Sequence, residues 1–369
     1  MRRFEVIRFG CNSHKFDNTL GALAKAYAAV WLAHPEWVGP KLMPNKFQVH
    51  GVQQAAAGAA AAAGADAAGG GTSVEEPAAP RGHPDPCQGV RAGGLYWARL
   101  VSFLVASPDP RENGIQTDWL EYMARADDLR GFALTTALEV LGKARFHEAL
   151  KSCGPLMARS KDLTEFLEYI QARKGKWGNM EQNVYDGLKD MPTQLEVALC
   201  YLFYHEIAFP SMALKKNYDD HWEMSEVYDH FLTGLQRLQH DITPLFTGMV
   251  DVQTVSIITD EEGNVTTEAR LEKQPMECLL GPEVKRDRAP GIHAVRDFVS
   301  NLSAEHMEQI TALAVKGIED MLVVFTRFAQ DQLTSQAGKL TKEQRAYYGV
   351  SKALKVEVTN DRYDTSLQL

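Results

Sequence analysis

Cysteine is scarce in this chain: five in 369 residues, Cys11, Cys87, Cys153, Cys200 and Cys278, odd in number and far apart. A disulfide framework is therefore not expected, since it needs an even set at short intervals. Long apolar runs are missing as well. The most apolar windows, 95–105 and 195–209, are too short or too interrupted by Arg, Glu and His to span a bilayer. The chain opens Met-Arg-Arg-Phe-Glu-Val, without the apolar core of a secretory leader, so an intracellular protein is expected, nuclear or cytoplasmic being open. A basic surplus is the third thing lacking. There are 39 Lys and Arg against 48 Asp and Glu, and residues 1–50 hold seven of the basic and only three of the acidic ones. The body that follows is acidic and repels phosphate backbones, because nucleic-acid affinity is largely counterion release by clustered Lys and Arg. DNA binding is thus disfavoured by charge, any contact being confined to the N-terminal end.

The apolar share, 45%, suffices for a packed core. Residues 4–9, Phe-Glu-Val-Ile-Arg-Phe, alternate and predict one strand. A helix is predicted next, capped by Asp17 or Asn18 and running to Ala33, with Pro35, Pro40 and Pro44 stopping it. Residues 51–92 pass from an Ala/Gly tract into a Pro-rich one and offer no apolar stripe that could bury a face. The expectation there is a disordered linker. It divides a strand–helix piece, 1–50, from a helical domain, 93–355, with a tail at 356–369.

Within 93–355 the periodicity is helical nearly throughout. Thr193-Gln-Leu-Glu196 reads as a capping box opening a central helix from Leu195 to Phe209, and Thr341-Lys-Glu-Gln344 as a second box. Ile310, Leu313, Ile318, Met321, Phe325 and Phe328 form a one-faced stripe on a helix whose candidate cap is Ser303. Only 252–271 breaks the rule: two β-branched runs flank Asp-Glu-Glu-Gly-Asn and predict a β-hairpin. The fold class is predominantly α, a helical insertion-type domain with a short N-terminal strand–helix remnant and one hairpin.

Chemistry-bearing residues are few. Cys11 and His14 have Cys-x2-His spacing, and with His83 and Cys87 could complete a tetrahedral zinc site. The plainer reading is a buried Cys and a hydrogen-bonded His where strand turns into helix, because the second pair lies in the linker. A Cys/His nucleophile would need an orienting group and an oxyanion pocket, and nothing marks either. Glu226 and His230 share one helix with spacing unlike a di-iron Glu-x-x-His, and read as solvated face residues. Tyr201, Phe203, Tyr204 and Phe209 lack neighbouring Lys or Arg, so they read as core and not as a base-stacking platform. The linker glycines follow no strand and carry no Gly-Lys-Ser/Thr, which argues against a phosphate cradle. No cofactor and no metal is expected.

Two stretches together resemble the hAT-type transposases, a ribonuclease-H-like family. In "FGCNSHKFDNTL", Cys11, His14, Asn18 and Leu20 match that family's Cys-x2-His and the helix after it; in "GIQTDWLEYMARADDL", Thr117 and Trp119 match its Thr-Arg-Trp, with Asp118 in place of Arg. The segment Tyr204 to Met212 is similar to a part of animal and algal relatives. The resemblance implies a helical insertion domain and metal-assisted strand transfer by converging carboxylates. Here only ten residues precede Cys11, so the family's two earlier acidic residues have no counterpart, and Ser303-Ala-Glu305 departs too far from its last acidic signature to take that role. The expectation is a non-catalytic, transposase-derived helical protein, with self-association or a protein partner as its mode of action. An unrelated helical scaffold and a metal-dependent enzyme using Cys11 and His14 are the alternatives.

Overall fold

The computed structural model describes residues 12–43, 93–107, 114–125, 146–210, 223–259, 265–275 and 291–329. About 81% of this part is helical, with eleven α-helices and a single two-stranded antiparallel sheet, a predominantly α fold. The strand expected at 4–9, the linker at 51–92 and the second capping box at Thr341 lie outside the described residues. Two compact units are present. One comprises residues 21–205 and 288–317, the other 1–20, 206–287 and 318–369.

Helix α1, Asn12–Ala33, starts earlier than the predicted cap. Asp17 and Asn18 are therefore interior positions, and the helix ends at Ala33 just ahead of Pro35. Leu20, Leu23, Ala26, Tyr27, Val30 and Trp31 are all buried and recur every three or four residues, so a single stripe fixes the helix by packing. Helices α2 (Gly94–Ala106), α3 (Gln116–Arg125), α4 (Phe146–Ala158), α5 (Ser160–Lys174), α6 (Asn179–Lys189) and α7 (Met191–Phe203) follow. Every residue of α7 from Pro192 to Phe203 is buried. Helices α2, α4 and α6 pack around it, as does α10 (Ile292–Ser300). This agrees with the expectation of a central helix that is apolar on most sides.

The predicted capping box at the start of α7 is corrected by the structure. Asp190 is the cap, its carboxylate accepting from the Thr193 backbone N–H at 3.2 Å and from the Thr193 hydroxyl at 2.7 Å. Glu196 is turned away into the interior. The helical run does reach Phe209, as expected, but through a π-helical turn at Tyr204–Ala208 that interrupts the α-helix. Helix α5 closes on Gly175, whose left-handed conformation, φ 76°, lets its N–H return to the Gln171 carbonyl.

In the second unit, α8 (Glu223–His240) and the short α9 (Thr243–Thr247) lead through left-handed Gly248 into β1, Met249–Thr259, paired with β2, Val265–Pro275. The hairpin is longer than predicted. Its register runs from Met249 opposite Pro275 to Thr259 opposite Val265 and places Asp251 across from Lys273. The 26-residue α11, Ala304–Ala329, is capped as expected: the Ser303 hydroxyl oxygen accepts from the His306 N–H at 3.2 Å. Of its predicted stripe, Ile310, Leu313, Ile318, Met321 and Phe325 are buried, and Phe325 meets Tyr228 and Phe231 of α8 at ring separations of 5.5 and 4.6 Å.

Candidate functional site

Buried charge is the usual mark of a site, and Glu196 is an enclosed carboxylate held by two hydrogen bonds. Its side chain leaves α7 on the face toward α1 and the start of α2. One oxygen accepts from the Trp31 indole N–H at 2.8 Å, the other from the Gly94 backbone N–H at 2.7 Å. The Gly94 N–H is one of the first free donors of α2, so the carboxylate acts as a cap delivered from another helix. Gly93, at φ 88°, lies against the same carboxylate, and a Cβ there would collide with it.

Next to Glu196 lie Tyr27 of α1 and Cys200 of α7, and Cys153 of α4 lies beside these two. Both cysteines are free and buried. Burial holds the Tyr27 hydroxyl well above its ordinary value, with Cys200 and Glu196 adding to the effect. Burial likewise raises the Cys200 thiol, and Cys153 raises it further. The Tyr27 oxygen lacks a hydrogen bond of normal geometry, so the thiols beside it are weak company. The packing is close at this point: a Cβ at Gly154 would meet the Tyr201 ring, and one at Gly291 would meet the Gly154 backbone. The Cys200 thiol, raised by burial, is a poor nucleophile, since the thiolate is the reactive form.

The transposase-like motif residues fall as follows. Cys11 lies outside the described residues, and His14 and Asn18 sit on the first part of α1, so nothing is added to the zinc reading. Glu226 and His230 do share one helix, α8. Thr117 is exposed in the first turn of α3, whereas Trp119 is buried and meets Phe166 of α5 edge-on at 5.1 Å. Asp118, the departure from the family's Arg, pairs with Arg173 of α5 at 2.6 Å. The Thr-Asp-Trp stretch thereby joins α3 to α5. Tyr201, Phe203 and Tyr204 are buried, as expected of core residues.

Among the described residues no group of three or more His, Cys, Asp or Glu is placed to hold a metal ion, and no helix is long and apolar enough to cross a membrane. The sequence reading missed Glu196 as an interior anchor because its spacing from Thr193 mimics a capping box. A signal was present nonetheless: one Glu in an otherwise apolar helix needs buried donors, and Trp31 and the Gly93-Gly94 pair supply them.

A second feature faces outward. Leu32 and Val38 are 70% and 51% exposed at the end of α1, flanking Trp37, which stacks on His34 at a ring separation of 4.0 Å. Hydrogen bonds from His34 N to Val30 O and from Trp37 N to His34 O fix this turn. Trp31, which meets Trp37 edge-on at 6.2 Å, ties it to Glu196. No family model matches the chain, and neither does any curated protein or solved structure.

Proposed function

We propose that this chain is a non-catalytic helical protein derived from a hAT-like transposase, acting through contact with another protein or with a second copy of itself. The apolar turn at the end of α1 carries the reading. Leu32 and Val38 are held open to solvent on a turn whose neighbour Trp31 is locked to a buried carboxylate, so the surface is already rigid before anything meets it. A preorganised apolar surface gives up little conformational entropy on binding, and exposed apolar clusters commonly mark protein contacts.

The carboxylates support the non-catalytic part. Glu181 is engaged by Lys174 and the Gly178 N–H, Asp190 by Thr193 and the Lys41 N–H, and Glu196 by Trp31 and Gly94. Each is spent on a structural donor. Descent from a transposase rests on the order of the motifs, His14 and Asn18 on α1 and then Thr117 and Trp119 on α3, ahead of a helical body.

Size-exclusion chromatography with light scattering on the full chain tests the contact reading. The expected result is concentration-dependent association that Leu32→Glu with Val38→Glu abolishes without changing the helical circular-dichroism melt. A monomer at every concentration that binds no hydrophobic dye and retains no protein partner overturns it. Nicking or joining of plasmid DNA with Mg²⁺ or Mn²⁺ overturns the non-catalytic part.

A further inference from the structure

Two arginines converge on one phenol at the junction of α3 and α5. Arg125, the last residue of α3, donates from Nη1 to the Tyr169 oxygen at 2.9 Å. Its guanidinium carbon and that of Arg173 each lie 5.9 Å from the centre of the Tyr169 ring. Tyr122 packs on that ring at 5.4 Å and holds it in place. Arg125 is exposed, Tyr169 half-buried, and the Arg173 side chain 44% exposed, so the phenolic oxygen sits where an enzyme can reach it. Among the described residues the acid bonded to the pair is Asp118, which takes Arg173 at 2.6 Å. A neutral phenol accepts a hydrogen bond from a guanidinium but neutralises neither of two. Among the described residues one positive charge is left over beside an oxygen that already serves as acceptor.

A phosphoryl group on that oxygen would supply what is short: nearly two negative charges and three strong acceptors, in the planar reach of guanidinium forks. We propose that Tyr169 is a phosphorylation site whose phosphate is received by Arg125 and Arg173. A protein tyrosine kinase would transfer the γ-phosphoryl of a nucleoside triphosphate, forming the bond from phosphorus to Tyr169 Oη and breaking the one to the bridging oxygen. The phenolic proton passes to the kinase's base, and the nucleoside diphosphate leaves. Arg173 is i+4 from Tyr169 on α5, and Arg125 comes from α3, so the phosphate clamps the two helices and displaces Asp118 from Arg173. Glu165 and Glu168, on the N-terminal side of Tyr169, oppose the new charge through solvent, where repulsion is weak beside direct hydrogen-bonded pairing. Tyr169 is within the last two turns of α5, ahead of the exposed loop at Gly175, the end from which a helix unwinds first to present an extended substrate.

The test uses the full chain with phosphotyrosine installed at 169 by amber suppression. In a ³¹P titration the phosphate's second ionisation is expected about one unit lower in the folded chain than in the same chain unfolded in urea. That difference is expected to vanish with Arg125→Gln and Arg173→Gln together, two surface changes that leave the core intact. Equal values folded and unfolded, or a lowering that survives loss of both arginines, overturn the proposal. In a second arm the unmodified chain is treated with a broad-specificity tyrosine kinase and Mg-ATP and mapped by mass spectrometry. Incorporation at Tyr169 supports the site, and incorporation at other tyrosines with none at Tyr169 overturns it.

Discussion

The Glu196 carboxylate and the Trp31 indole are 165 positions apart and meet at 2.8 Å in the interior. This bond, with the one from the Gly94 N–H, ties three helices to one side chain. Neither donor reaches water, so removing the acceptor leaves both unsatisfied. Glu196→Ala is expected to destabilise the chain by roughly 2–6 kcal/mol, from two orphaned buried donors at about 1–3 kcal/mol each. Chemical denaturation with Trp fluorescence measures it, and a loss below about 0.5 kcal/mol would mean that the anchor is dispensable.

A Cβ at Gly154 would run into the Tyr201 ring, which is enclosed and cannot yield cheaply. Gly154→Ala adds helix propensity yet is expected to lower stability by about 1–3 kcal/mol through overpacking. Gly175, whose surroundings are open, provides the contrast. There the cost of Ala is set by the left-handed backbone alone, about 1 kcal/mol. Thermal melts of the two variants separate a packing requirement from a conformational one.

Alkaline pH acts on the buried Tyr27 and Cys200. Both are raised above their ordinary values, 10.0 and 9.0, by burial first, with Glu196 and the neighbouring cysteines adding to it. The folded state therefore holds these protons more tightly than the unfolded state, and the stability they contribute is complete below the ordinary values. It is lost progressively as pH climbs past about 9 toward the raised folded values. Tyr27→Phe removes the phenol and is expected to flatten this fall; denaturation midpoints from pH 8 to 11 that superimpose for the two proteins would count against the account.

Ser303 caps the longest helix. Ser303→Ala is expected to cost about 1 kcal/mol, whereas Ser303→Asp, which retains an acceptor near the positive end of α11, should be close to neutral. A circular-dichroism melt of each variant distinguishes them, and equal losses would show that the hydroxyl contact at 3.2 Å contributes nothing.

Local signals were readable wherever one segment decides the outcome. The end of α1 before Pro35, the Ser303 cap, the stripe from Ile310 to Phe325 and the hairpin all follow from spacing and turn chemistry. Readings failed where a distant group intervened. The capping box at Thr193 was a correct pattern with the wrong partners: Asp190 stands close enough to take the cap, and Trp31 and Gly94 lie where only the folded chain puts them. Helix α4 runs through Gly154-Pro155, a pair that locally favours a break, in keeping with the helical periodicity expected over 93–355. Packing against Tyr201 and Gly291 requires the helix there, and the small glycine allows the approach.

By itself the sequence determined that this chain is predominantly helical and acidic in its body, with a hairpin between α9 and α10, because helix periodicity, strand alternation and charge are properties of neighbouring residues. The tertiary structure alone decided which polar groups are anchors and which are surface, gathering Tyr27, Trp31, Cys153 and Glu196 from positions remote in the chain and setting Arg125 against Tyr169. The physical reason is burial: a carboxylate or phenol acquires its partners, and therefore its properties, from whatever the fold brings within hydrogen-bonding reach once water is excluded.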